Sequence, residues 1–316
     1  MAAGATTSSP STSRTRRPEK VDDLIDSGLM ARLDQLDVVS RKIFLGKLQG
    51  ERRSRKRGTS VEFADYRSYV AGDDLRYIDW NVYGRLDVLF LKLFLEEEDL
   101  SLYLVIDTSK SMDYGAPDKL VFAQRLAMAL GYIGLVNYNR ITLISFSNGV
   151  VSRLPGLRGR RRTQEMGQWI LSQTPDGTTD FEAAMKSIAL GRQGRGVMVI
   201  LSDFMYKSGY EKGLNYLQGG GFDTFALQLL SPQEADPGGT GAITGDLKLR
   251  DMEDDNVAEV TVSAALLKRY KENLSAYCDR LRDYCVRRSM IHMVLRSDMS
   301  METLLMEYFR KRGLLK

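Results

Sequence analysis

Two runs of five consecutive apolar residues constrain the fold more than any other feature: Leu102–Ile106 (L-Y-L-V-I) and Val197–Leu201 (V-M-V-I-L). A strand that is apolar at every position leaves no face for water, so it belongs in a sheet covered on both sides. The intervening segments have helical spacing. Lys119–Tyr138 places Leu120, Ala123, Leu126, Ala127, Leu130 and Ile133 on one side. Ile141–Phe146 reads as a strand, Thr163–Ser172 and Phe181–Leu190 as helices, Tyr210–Leu217 as a helix and Asp223–Leu229 as a strand. This alternation predicts an α/β fold with a doubly wound, mostly parallel sheet.

The flanking segments set the expected domain layout. Residues 1–20 are rich in Ser, Thr, Ala and Arg and read as a disordered tail. Residues 21–99 begin with a helical pattern through Leu24, Ile25, Met30, Leu33, Leu36 and Val39, then pass into a dense block of short strands and turns. That block closes on a strand near Leu89–Leu95, with Trp80 expected in its core. Residues 100–230 form the α/β domain, and 231–316 a C-terminal extension. In the extension, P-Q-E-A-D-P-G-G-T-G-A reads as a loop, followed by a hairpin-like piece near Asp246–Val262. A long helix over about Ser263–Arg287 carries a narrow seam of Leu267, Tyr270, Leu274, Tyr277, Leu281 and Tyr284. That seam suits packing on the sheet or a dimer contact. Ile291–Leu295 reads as one more strand, and a final helix starts at Met301.

Composition excludes several classes. The sequence shows no apolar run approaching the 18 residues of a membrane span and no secretory leader, so the expected location is the cytoplasm. Cys278 and Cys285 are the only cysteines and stand two helical turns apart, too far for a disulfide. With His292 the single histidine, no zinc set can form. The net charge of +4 is concentrated in Glu51–Arg57 and Arg158–Arg162. Such loops can bind nucleic acid, but no stacking aromatics are interleaved with them, so nucleic acid stays the alternative partner, through residues 52–57 and 158–162.

Both buried runs lead straight into an aspartate, Asp107 after the first and Ser202-Asp203 after the second. Ligands of open parallel sheets bind beyond the carboxyl ends of the strands, so these carboxylates should converge on one edge. Asp107-Thr108-Ser109-Lys110-Ser111 puts three oxygen ligands at alternate loop positions, facing the same way. Gly177-Thr178-Thr179-Asp180 opens a later helix on the same edge. Hard oxygen ligands, of which only two are charged, suit Mg²⁺ or Mn²⁺. Neutral hydroxyls leave such an ion under-neutralised and attractive to an incoming carboxylate.

This set resembles the metal-ion-dependent adhesion site of von Willebrand factor A domains. The resemblance implies Asp107, Ser109 and Ser111 as its first motif, Thr179 as the second and Asp203 as the third, with Thr178 a rival to Thr179. The upstream block E-F-A-D-Y-R-S-Y-V-A-G-D-D-L-R-Y-I-D-W, Glu62–Trp80, is similar to the signature of bacterial domain-of-unknown-function family fifty-eight. That resemblance implies a metal-dependent protein-interaction module: an adaptor or chaperone-like partner of a MoxR-type AAA+ ATPase, or of its client. Asp73, Asp74, Arg76, Asp79 and Arg85 are either an ion-pair network or a partner-docking surface.

An enzyme is not expected. Aspartyl-phosphate chemistry wants an aspartate two residues after the first, and Ser109 stands there. The run Ser145-Phe146-Ser147-Asn148-Gly149 lacks the first glycine of a nucleophile elbow, and no phosphate-binding G-x-x-x-x-G-K-[ST] loop occurs. His292, inside I-H-M-V-L, reads as a satisfied core residue.

Overall fold

The computed structural model describes residues 17–39, 62–95, 100–191, 196–238, 245–250 and 257–316. The chain divides into a small unit, Gly46–Asp99, and a large one formed by Met1–Leu45 with Leu100–Lys316. Most of the expected disordered tail (residues 1–16) lies outside the described residues, as does the basic run Arg52–Arg57.

The helical pattern after Val21 resolves into two short helices, α1 (Val21–Leu24) and α2 (Ser27–Leu33). Asp26 interrupts the pattern because its carboxylate accepts the Leu29 N–H at 2.7 Å and caps α2.

In the small unit, β1 (Glu62–Ser68) pairs antiparallel with β2 (Phe90–Leu95), with α3 (Trp80–Leu86) between them in sequence. A two-stranded sheet is marginal by itself, and ion pairs reinforce this one. Asp79 caps α3 by accepting the N–H groups of Asn81 and Val82 at 2.9 and 3.2 Å. It also takes the Tyr66 hydroxyl at 2.8 Å and the Lys92 ammonium at 3.0 Å. Lys92 is the main cause that holds the Asp79 carboxyl down at about 2. Asp73 accepts from Arg67 at 2.8 Å and from the Val70 N–H at 2.9 Å. Asp74 pairs with Arg76 at 2.6 Å on the surface, and Arg85 is exposed. Trp80, expected in the core, is 61% exposed. Ile78 and Leu91 take the inward positions instead, and no residue of α3 itself is buried.

The large unit is built on a six-stranded sheet of order β10-β7-β6-β3-β4-β5. Its strands are β3 (Ser101–Asp107), β4 (Arg140–Ser147), β5 (Gly149–Leu157), β6 (Val197–Ser202), β7 (Asp223–Leu230) and β10 (Ile291–Arg296). All neighbours are parallel except β5, which runs antiparallel to β4 at the edge. The sequence reading missed β5, where Pro155 and Gly156 break the pattern and most side chains are half or fully exposed. β8 (Gly245–Arg250) and β9 (Val257–Val262) form a separate antiparallel hairpin.

Helices cover both faces, giving the mixed α/β, Rossmann-like architecture that the apolar runs require. Leu102, Leu104 and Ile106 of β3 point into one core, shared with α4 (Lys119–Val136) and α5 (Thr163–Leu171). Tyr103 and Val105 point into the other, shared with α6 (Phe181–Leu190), α7 (Glu211–Gly219) and the long helix α9 (Ala264–Val286). Between β7 and the hairpin lies α8 (Pro232–Ala235), a helical turn where the sequence pattern reads only loop.

α4 is long and apolar enough to cross a membrane by composition, with a mean hydropathy of 1.3, yet 89% of it is buried inside this fold. Its apolarity runs all round because the sheet lies on one side and α1, α2 and α5 on the other. Gly134 lets it approach β4, since a Cβ there would stand 2.4 Å from the Ile141 side chain.

Candidate metal centre

The chain leaves β3 for β4 on one side, and β6 is laid down on the other, so β3 and β6 flank the point where strand order reverses. In open parallel sheets this is where ligands bind, beyond the carboxyl ends of the strands. Register aligns Ile106 with Leu201, which sets Asp107 beside Ser202 and Asp203 one step further on. Both carboxylates are buried, with relative exposures of 0% and 2%.

Asp107 is held by neutral donors. One carboxylate oxygen accepts the Ser109 N–H at 2.9 Å. The other accepts the Ser202 hydroxyl at 2.7 Å and the Tyr206 hydroxyl at 3.2 Å. Burial, and then the charge of Asp203, push its carboxyl up to about 6. The Ser109 and Ser111 hydroxyls lie 3.0 Å apart, Ser109 fully buried and Ser111 half-buried. Ser111 also hydrogen-bonds Asp203. Four of the five expected ligands therefore lie in one connected cluster. Thr179 arrives on a neighbouring loop, which the Lys110 N–H ties to the Gly177 carbonyl at 3.2 Å and the Asp176 N–H to the Thr108 carbonyl at 2.8 Å. Thr179 is half-buried and Thr178 exposed.

Asp203 has different company. One of its oxygens accepts the Met205 N–H at 3.1 Å, and the other meets the Lys119 ammonium at 3.0 Å. Lys119 is 1% exposed and also contacts Glu234 at 2.6 Å. Burial pushes the Asp203 carboxyl up, but Lys119, the Met205 N–H and Ser111 together hold it below the usual carboxylate range. Burial likewise opposes the charge on Lys119, and Asp203 and Glu234 overcome that and raise its pKa. Beyond Asp203, Phe204 turns the chain with φ of 56°, a region that costs a bulky residue about 1–2 kcal/mol. Its buried ring and the Tyr277 hydroxyl, which donates to its carbonyl, hold it there.

Sequence reasoning missed Lys119, Glu234, Ser202 and Tyr206. For Glu234 a signal existed. Ser231-Pro232-Gln233-Glu234 is a capping box with proline at the first helical position.

The donors fit a divalent cation on two grounds. Among the described residues no group of three or more His, Cys, Asp and Glu is arranged to hold a metal ion by itself, so an ion here would rest on hydroxyls and two carboxylates, the hard-oxygen set of Mg²⁺ or Mn²⁺. The second ground is charge. Asp107, Asp203 and Glu234 bring three negative charges and Lys119 one positive, leaving two negative. One divalent ion would bring the buried cluster to neutrality.

Elsewhere the basic run Arg158–Arg162 is partly engaged within the fold. Arg160 contacts Asp34 at 3.1 Å and the Tyr132 hydroxyl, and Arg162 contacts Glu165 at 2.7 Å. His292 is buried and bonded to the Gln228 amide oxygen at 3.0 Å, while the Gln228 amide nitrogen donates to the Asp203 carbonyl at 3.0 Å. Cys278 and Cys285 are free thiols.

Residues 65–280 match the family model described as "Protein of unknown function DUF58". The chain belongs to the DUF58 family. Uncharacterized proteins of Mycobacterium bovis and Mycobacterium tuberculosis are 26% identical over 260 residues, covering 81% of this DUF58 chain and 80% of theirs. Among solved structures, the conserved hypothetical protein BatB from Bacteroides thetaiotaomicron overlaps with a TM-score of 0.41 and 13% identity, over 68% of this chain and 97% of that one. An aerotolerance-related membrane protein from Bacteroides fragilis overlaps at 0.40 and 18% identity, over 67% and 99%.

Proposed function

We propose that this DUF58 protein is a von Willebrand factor A-like, metal-dependent interaction module of the cytoplasm, and a binding protein rather than an enzyme. The observation that carries the reading is the buried cluster of Asp107, Ser109, Ser111 and Asp203 at the sheet's switch point, with two negative charges left over. Asp107, Ser109, Ser111, Thr179 and Asp203 would hold Mg²⁺ or Mn²⁺. A bound ion would supply an open, under-neutralised coordination position for a carboxylate of another protein. The chain's own residues keep that position in place. Ser202 and Tyr206 orient Asp107, Lys119 orients Asp203, and Gln228 and Tyr277 anchor the consecutive main-chain carbonyls of Asp203 and Phe204. His292 supports Gln228 and serves structure, not proton transfer. The family resemblance points to a MoxR-type AAA+ ATPase, or its client, as the protein that brings the carboxylate.

The test is a pull-down from native lysate with Mg²⁺ and with EDTA, using wild type and Asp107→Ala, alongside a direct Mn²⁺ titration. Retention of an AAA+ ATPase by wild type with metal alone supports the reading. Identical proteins in every lane would overturn it, as would a wild type that binds no Mn²⁺.

A further inference from the structure

Lys119 is the one cation in the buried cluster that the adhesion-site motif does not contain, and its surroundings define what it does. Its ammonium sits 3.0 Å from Asp203 and 2.6 Å from Glu234, with 1% of the side chain exposed. Neither partner is free to follow it. The second oxygen of Asp203 is taken by the Met205 N–H at 3.1 Å. The second oxygen of Glu234 accepts the Ser231 N–H at 2.7 Å, closing the capping box of α8. The Glu234 carbonyl also accepts the Tyr270 hydroxyl from α9 at 3.0 Å. Glu234 is thereby fixed by its carboxylate, its own helical turn and a second helix.

The positive charge is thus shared between a carboxylate that faces the candidate cation and one that does not. We propose that Lys119 and Glu234 are specificity-determining residues of the metal centre. Lys119 withholds part of Asp203 from the cation, and Glu234 withholds part of Lys119 from Asp203. The proposal rests on the metal reading above. It goes further by assigning the site's affinity and charge preference to residues 84 and 31 positions away from Asp203, outside the motif.

Opposite effects follow from the two isosteric changes. In Lys119→Met, Asp203 faces the cation with its whole charge, and the cluster has three negative charges where wild type has two. In Glu234→Gln, the whole ammonium charge falls on Asp203, and the cluster keeps one negative charge. A unit charge one carboxylate away from a divalent ion, at the effective dielectric of a protein site, changes affinity by about tenfold or more. Glutamine is also accepted at the third helical position of a capping box, so the α8 turn persists in Glu234→Gln.

The experiment is a Mn²⁺ titration of the full chain by calorimetry and by electron paramagnetic resonance. Wild type, Lys119→Met and Glu234→Gln are compared after circular dichroism has established that each is folded. A Tb³⁺ titration reports charge preference. The expected result is tighter Mn²⁺ binding by about tenfold in Lys119→Met and weaker binding by a similar factor in Glu234→Gln. The ratio of Tb³⁺ to Mn²⁺ affinity should rise in the first and fall in the second. Affinities within twofold of wild type in both variants, or shifts in the same direction, overturn the proposal while leaving the metal site intact. If Lys119→Met does not fold, Glu234→Gln decides alone. A wild type that binds no Mn²⁺ removes the metal reading and this inference together.

Discussion

Acidification should destabilise this protein through His292, and the structure gives the size of the effect. His292 lies in β10, buried, with its Nε2 3.0 Å from the Gln228 amide oxygen. The Gln228 amide nitrogen donates to the Asp203 carbonyl, so the amide oxygen faces His292 and the ring must donate from Nε2. Gln228 also takes part in a hydrogen bond with Cys278 of α9, and Arg282 of the same helix is a charge that acts on the ring. Burial, and then Arg282, push the imidazole down to about 4 from its ordinary 6.5. The neutral ring is therefore the folded form, and the unfolded chain binds more protons between these two values. Stability from this residue is complete above pH 6.5 and disappears as pH falls toward 4. The full shift corresponds to about 3 kcal/mol, of which about 2 kcal/mol is gone by pH 5. Carboxylates titrate in the same window, so the measurement is a difference. Urea unfolding of wild type and His292→Gln is followed at intervals from pH 8 to pH 4.5. Wild type should lose about 2 kcal/mol more than the variant between pH 8 and pH 5. Parallel curves would show that the ring is already solvated, and the assigned hydrogen bond would be wrong.

Two further substitutions probe the supports of the site and sheet. Tyr277→Phe removes the hydroxyl that satisfies the Phe204 carbonyl beside Asp203; a loss of about 1–2 kcal/mol in urea unfolding is expected, and no loss would mean that water replaces the bond. Gly196→Ala would place a Cβ 2.1 Å from the Ser101 carbonyl oxygen, backbone that cannot move without breaking the β3–β6 pairing. A thermal midpoint lowered by at least about 5 °C, or failure to accumulate as soluble protein, is the expected result, and an unchanged midpoint would refute that packing.

The elements legible in the sequence were those whose physics is local. β3 and β6 announce themselves because every side chain of their apolar runs is buried, so the run needs no knowledge of its neighbours. The same reasoning loses β5, an edge strand with solvent on most of its side chains and no apolar run to see. Trp80 shows the converse failure. Its apolar area suggests a core position, yet Ile78 and Leu91 fill the inward positions and Trp80 is 61% exposed on a helix with no buried residue. Residues 62–95 were the least legible described stretch, because they are tied by pairs such as Asp79 with Lys92 and Asp73 with Arg67. Sequence shows that those charges exist but not which of them meet.

The candidate site divides along the same line. Asp107, Ser109, Ser111 and Asp203 are readable because they sit at fixed offsets from the ends of buried strands, where chain direction alone determines the edge they reach. Lys119 is not readable, and local rules argue against it. It is the first residue of α4, directly after the capping carboxylate of Asp118, where the positive end of the helix dipole disfavours a cation. It is also fully buried, which costs a lone ammonium several kcal/mol. Both costs are offset chiefly by Asp203 and Glu234, which lie 84 and 115 residues further along the chain. A residue that breaks two local rules and is rescued by two distant carboxylates at a strand switch point is better explained by a demand of the site than of the fold. A leucine at position 119 would remove the conflict with the helix dipole, and it would leave the buried Asp203 without the charge that Glu234 holds in balance.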